Sequence, residues 1–491
     1  MRTALFVLST GHVALRELRP VLERFRAGGW RVVVRLGASG PEAPSAAAEL
    51  SSEGMDAAVI PPGVGYEAQT AAVDSGIDPD EATPAPPVRD AQAGARTVAR
   101  EALKKVLRPV LAHRLVAFWR YYRQALRNRE WADRLVDEIA PDVVLLNMFH
   151  SVGEIDNAVQ RAARRARLPL FCLTNAPYVG EAIQLVSRMN HLQSGMAGPD
   201  IRADYDILNR LLAALFKRWT RQLPSGPVVF YWDPVRILAA NLAGLGMNRL
   251  WLKPSVDFDK VFVFGEFSRT LLLEAGYPRE KIVVAGQPLL DDILRLQGDP
   301  VRQADIASHI GVPRGAGFLL VNIEPSFEHN YASAADHWTH FHELMRACVD
   351  HGVAVVLSLH PLCKPEDYRF AEAQYGLRIS TRFKIHELYP LCTVSVSFPC
   401  STNVLALTFE KPLVIYDFYR VLERDPVTDR LYWPAGALLG RSDKALRAHI
   451  AAALATAKRA AATHAQRENA CAAILETVSA ELPRKTAAAG A

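Results

Sequence analysis

Short, continuous apolar runs separated by stretches of helical length recur along the whole chain. In the first half they are TALFVLS, WRVVVRLG, AAVIPP, DVVLLNMF and LPLFCLT, with helices through Val21–Arg26 and Ile155–Arg167 between them. PVVFYW and KVFVFGEF follow, and the second half continues with KIVVAG, GFLLVNIE, VAVVLSLH, LRIST, TVSVSF and PLVIYDF. Runs that stay apolar instead of alternating are what parallel strands covered on both faces require. A chain of 491 residues exceeds what one hydrophobic core usually supports. The pattern therefore predicts an α/β protein of two doubly wound, Rossmann-like domains. The expected division is 1–250 for the first domain and 251–445 for the second, with the boundary near 245–258. Ala-rich helices and a disordered tail, RKTAAAGA, are expected over 446–491.

One insertion, about 66–136, interrupts this order. Tyr66–Asp90 is rich in Ala, Pro, Asp and Gly and is expected to be a loop. After it Leu103, Val106, Leu107, Val110, Leu111, Leu115, Phe118, Tyr122 and Leu126 recur at helical spacing, which predicts an amphipathic helix with a kink at Pro109. Arg96–Arg129 holds ten Lys/Arg and one acid, Glu101, in a chain whose net charge is only +5. Two readings follow: a core-packed helix with a solvated basic face, or a surface for an anionic membrane or polyanionic acceptor.

Composition excludes several classes. Half the residues are hydrophobic and 22% are charged, as in an ordinary globular protein. The opening run ALFVL is too short to span a bilayer and has no cleavage region, so a cytoplasmic chain is expected, peripheral at the inner membrane face if the basic helix binds there. No nucleic-acid partner is expected. Cys172, Cys348, Cys363, Cys392, Cys400 and Cys471 lack C-x-x-C spacing, and neither disulfides nor structural zinc is expected. His337, His340 and His342 do not share one helical face. Asp257-Phe258-Asp259 is read as the joint into the second domain rather than a metal site, and no metal or other cofactor is expected.

Two strand ends carry candidate chemistry. VAVVLSLH delivers His360-Pro361, and TVSVSF opens onto Cys400-Ser401-Thr402 before the helical run NVLALTF. Hydroxyls and main-chain N–H groups at such places suit a phosphate, and ligands of open α/β sheets bind at the C-terminal edge of the strands. A helix cap and a strand-ending His-Pro explain each alone; their occurrence in one βαβ frame points to a nucleotide site.

The segment CSTNVLALTFEKPLVIYDF, preceded by the His-Pro motif, resembles the stretch shared by bacterial sialyltransferases, Kdo transferases of capsule synthesis and CDP-glycerol glycerophosphotransferases. Val261–Leu294 is similar to the domain-joining segment of GT-B transferases and UDP-GlcNAc 2-epimerases. The resemblance implies a GT-B glycosyltransferase whose donor is a nucleotide sugar, CMP- or CDP-activated, and whose acceptor is a glycan or lipid-linked glycan of surface polysaccharide synthesis. A hydrolysing 2-epimerase would show an acid after the fourth strand and an S-G-G phosphate loop. LLNMFHS and FPCSTN stand there instead, so a UDP-sugar epimerase or hydrolase is the alternative, beside a catalytically silent glycan-binding assembly protein.

The same resemblance assigns donor contacts to His360, Ser401 and Thr402; by their places at turns and strand ends Gly286, Glu324 and Lys364 are further donor candidates, with Arg269 as a weaker phosphate candidate. The acceptor domain of a GT-B enzyme supplies the base of an inverting reaction. Strand-end candidates are His12, His150, Glu154 and Asp156, of which His12 and Glu154 are singled out.

Overall fold

The structure, a computed structural model, describes residues 1–9, 12–38, 42–61, 64, 95–147, 154–174, 179–193, 199–223, 226–247, 249–252, 254, 257–297, 299–326, 332–360, 363–400, 402–423, 436–457 and 469–482. Two parallel sheets organise them. The first has the order β3 (Asp56–Val59), β2 (Arg31–Leu36), β1 (Thr3–Leu8), β4 (Val143–Asn147), β5 (Leu170–Leu173), β8 (Lys260–Val263) and β9 (Ile282–Val284). The second has the order β12 (Arg378–Ser380), β11 (Ala354–Leu359), β10 (Phe318–Ile323), β13 (Val394–Ser397), β14 (Leu413–Tyr416) and β15 (Leu438–Gly440). A small antiparallel hairpin pairs β6 (Thr220–Gln222) with β7 (Val228–Phe230).

In each sheet the chain lays strands outward on one side of its first strand, then returns to fill the other side. The order reverses between β1 and β4 in the first sheet and between β10 and β13 in the second, the switch points at which such folds bind ligands. Successive residues of one strand feed opposite cores: Leu5 and Val7 join one cluster, Ala4, Phe6 and Leu8 the other. Leu319 and Val321 are likewise divided from Phe318 and Leu320. Both faces are therefore apolar, which explains the unbroken runs in the sequence.

The boundary expected near residue 250 is corrected by the pairing. β8 pairs with β5 and β9 with β8, so the first sheet continues to Val284. The chain passes to the second sheet through the helices Pro288–Gln297 and Pro300–Ile310. A parallel strand's sequence states that it is buried, not which sheet buries it. The Asp257-Phe258-Asp259 stretch accordingly leads into β8 of the first domain; Asp257 pairs with Lys281 and Asp259 with Arg164.

The C-terminal region divides between the two bodies. The helix Asp443–Ala457 packs Leu446, Ile450 and Ala453 on the second sheet, whereas the helix Ala470–Glu481 packs Cys471, Ile474 and Val478 on the first. Asp291 fastens this return, accepting hydrogen bonds from the N–H groups of Ala470 (3.0 Å) and Cys471 (2.8 Å). The predicted tail after Pro483 lies outside the described residues.

The insertion holds one 45-residue helix, Ala95–Ile139, continuous through Pro109. Its preceding loop, Tyr66–Asp90, lies outside the described residues, as do the side chains of Leu103, Val106, Leu107, Val110 and Leu111. The buried stripe differs from the predicted one. Arg114, Ala117, Ala125, Asn128, Trp131, Ala132 and Leu135 are buried, while Leu115 is 59% exposed and Phe118, Tyr122 and Leu126 are half-buried. The cause is an inward arginine: Arg114 pairs with Asp206 (3.0 Å) and Asp233 (3.1 Å), which turns the adjacent Leu115 outward. All six cysteines are free thiols, five of them buried.

Candidate active site

The register of the second sheet brings three strand ends together. Ile323 pairs with Leu359, and the N–H of His360 donates to the Ile323 carbonyl at 3.0 Å, setting His360 beside Glu324. On the other side Asn322 pairs with Ser397. Asn322 is a buried polar residue inside an apolar strand, and its amide Nδ2 donates to the Thr402 Oγ1 at 3.0 Å. The Cys400 thiol lies 3.0 Å from the same hydroxyl and the Tyr416 hydroxyl donates to the Asn322 carbonyl at 2.8 Å. Glu324, His360 and Thr402 thus occupy one edge of the sheet across its switch point.

Electrostatics at this edge tie the residues further. Burial first, and then the negative charge of Glu324, push the Cys400 thiol above its ordinary range. The Tyr416 phenol is raised for the same two reasons, burial leading. A phenol and a thiol held neutral can donate hydrogen bonds but carry no charge that would repel a phosphate. Behind the edge His337 is buried between the Ser326 hydroxyl (2.6 Å from Nδ1) and the Tyr368 hydroxyl (2.9 Å from Nε2). Burial and the neighbouring His340 pull its pKa down to about 4, so it stays neutral. Ser326 also donates to Tyr419 at 3.3 Å, so His337 braces the segments after β10, β11 and β14.

The other donor candidates are placed as follows. Ser401 and the Pro361 that follows His360 lie outside the described residues. Lys364 is exposed and opens the short helix Pro365–Tyr368. Gly286 lies just beyond β9, in the first sheet, with φ +91; a Cβ there would stand 3.3 Å from Ala470. That position makes it a conformational requirement of the crossing between the bodies. Arg269 pairs with Glu266 at 2.8 Å one turn away in its helix. Each clustered histidine has its own partner, His340 with Glu343 and His342 with Tyr375, and no group of three metal ligands occurs among the described residues.

In the first sheet the candidates gather at the β1–β4 switch point. His12 opens the helix His12–Ala27 after β1 and Glu154 opens the helix Glu154–Arg165 after β4; their side chains, and His150 altogether, lie outside the described residues. Asp156 is described. It is 1% exposed, its Oδ2 is 3.4 Å from the Ser9 hydroxyl and its buried Oδ1 has no partner among the described residues. Burial raises its pKa to about 7, against a smaller lowering by Ser9. A carboxyl poised near neutrality at a ligand-binding edge is suited to proton transfer. The signal for it in the sequence is an acid set directly among Ile155, Ala158, Val159 and Ala162, the apolar face of its helix.

No family model matches the chain and no curated protein matches it. Solved structures do. The UDP-GlcNAc 2-epimerase from Neisseria meningitidis, bound to UDP-GlcNAc, superposes with a TM-score of 0.50 at 10% identity, covering 98% of this chain and 100% of that one. The glycotransferase of kitacinnamycin does so with a TM-score of 0.50 at 14% identity, covering 98% of this chain and 99% of that one. At these identities the likeness concerns the fold, and the chain has the two-domain GT-B fold.

Proposed function

We propose that the protein is a glycosyltransferase that moves a sugar from a nucleotide donor, CMP- or CDP-activated, to a glycan or lipid-linked glycan of surface polysaccharide synthesis. The observation that carries this reading is the convergence of Glu324, His360 and Thr402 on one sheet edge at the switch point. His360 and Glu324 would hold ribose or base, and Ser401 and Thr402 the phosphate, with Lys364 adding positive charge from the adjoining turn. The acceptor would lie against the first sheet, where His12, Glu154 or Asp156 takes the proton of the acceptor hydroxyl. The acceptor oxygen then bonds to the anomeric carbon as the bond to the phosphate oxygen breaks, and the nucleotide leaves with that electron pair. The pocket's task is to stabilise the departing phosphate, for which the proposed reaction requires no metal.

Incubation with CMP-, CDP-, UDP- and GDP-sugars, with and without a glycan acceptor, tests this. The reading expects the nucleotide to be released in step with acceptor glycosylation. Turnover that ignores the acceptor would replace it with an epimerase or hydrolase, and binding without turnover with an assembly protein.

A further inference from the structure

Around Arg114 the 95–139 helix carries large apolar residues on the side away from the core. Leu115, Val116 and Trp119 are 59%, 70% and 54% exposed, while Arg114 and Asn128 are buried on the opposite face. The neighbouring helix, Ile207–Leu215, repeats the arrangement. It buries Asn209 and Leu212 but leaves Ile207, Leu211 and Leu215 exposed by 62%, 54% and 64%, one turn apart. The Arg114–Asp206 ion pair joins the two helices, and Leu115 and Ile207 are the residues immediately following its two partners. Both apolar stripes therefore start from one point.

We propose that this two-helix face docks on an anionic lipid bilayer. Its charge selects that occupant. Neither Leu115–Arg129 nor Ile207–Gln222 contains an acid, whereas Arg120, Arg123, Arg127, Arg210, Lys217 and Arg218 are all exposed. Of the flanking acids, Asp206 is paired with Arg114 and Asp204 with Arg202, and Glu130 follows the first stretch. Aliphatic side chains among exposed cations suit an acyl boundary beneath negative headgroups. Trp119 and Tyr122 form an edge-to-face pair with centroids 5.8 Å apart, amphipathic rings of the kind enriched at that boundary. A second copy of the chain seated on the same face would set cations against cations. The inference extends the lipid-linked acceptor of the proposed function to a defined surface and rests on that reading for its purpose, although its own test needs no sugar.

The experiment is co-sedimentation of the full chain with vesicles of phosphatidylcholine alone or mixed with phosphatidylglycerol, at low and high salt, beside sedimentation without lipid. The mixed vesicles should carry the protein down and the pure phosphatidylcholine vesicles should not, with high salt releasing it. Trp119→Ser combined with Leu211→Ser should weaken binding about tenfold or more; should that variant melt early, Arg123→Gln with Lys217→Gln, at two exposed cations, gives the same loss. Absence of binding to either vesicle, binding indifferent to both variants, or a dimer that the serine variant dissolves would each overturn the proposal. Nucleotide affinity, measured on the same samples, reports separately on the transferase reading.

Discussion

At the scale of single residues, the proposed donor edge makes a quantitative demand. Thr402 presents its hydroxyl from a position locked by Asn322 at 3.0 Å, and His360 is fixed by its N–H to Ile323. Loss of one hydrogen bond to a charged ligand costs about 1.5–3 kcal/mol, so Thr402→Val and His360→Ala should each weaken nucleotide binding roughly tenfold to a hundredfold, as read by calorimetric titration. A second pair of residues makes opposite demands on pH. Asp156, raised from 3.8 to about 7, holds a proton in the folded state where the unfolded chain has lost it. Its contribution to stability is therefore full below 3.8 and falls as pH rises toward 7. His337, lowered from 6.5 to about 4, stays neutral where the unfolded chain is protonated, so its contribution is full above 6.5 and falls as pH drops toward 4. Melting curves across this range should show Asp156→Asn gaining on the parent as pH rises. An offset that stays constant with pH would contradict the assignment of a buried, protonated carboxyl.

At the scale of elements, Arg114 is the fastening of the long helix. Its guanidinium is nearly buried and meets Asp206 on one segment and Asp233 at the cap of the helix Pro234–Leu242. Removing one member of a buried pair strands the others, typically at a cost of about 3–5 kcal/mol. Arg114→Met should lower the melting temperature accordingly, and Arg114→Lys should not restore it, since one ammonium cannot reproduce the two-sided fork. Gly286→Ala belongs to the same scale. Its φ of +91 and the nearby Ala470 predict a loss of about 1–3 kcal/mol in stability with nucleotide affinity unchanged, which separates a crossing point from a donor contact. Which of these features the sequence makes legible depends on their physics. Strands show plainly, because burial on both faces leaves β4 and β10 apolar except for Asn147 and Asn322. The buried stripe of the long helix does not, because an arginine satisfied by two distant aspartates looks polar until those aspartates are in place. His360 and Thr402 are visible as motifs, whereas the Asn322 that positions Thr402 is a single polar letter within GFLLVNIE.

For the whole molecule, the proposed reaction would draw its two halves from the two switch points, with Asp156 and the starts of two helices at one and Glu324, His360 and Thr402 at the other. The chain crosses between the bodies twice, at Gly286 and before Ala470, and Asp291 ties the crossings together. Membership of β8 and β9 in the first sheet could not be read from their sequence, since an apolar run marks a buried parallel strand without saying which sheet it joins. The central claim is that the second sheet's edge is a nucleotide site. Calorimetric titration of CMP, CDP, UDP and GDP into the parent and into the double variant His360→Ala/Thr402→Val tests it most directly. The account predicts that one of these nucleotides binds the parent and that the double variant, folded to the same melting temperature within a few degrees, loses that binding by about a hundredfold or more. Binding of equal strength to parent and variant, or no binding of any of the four to the parent, would contradict it.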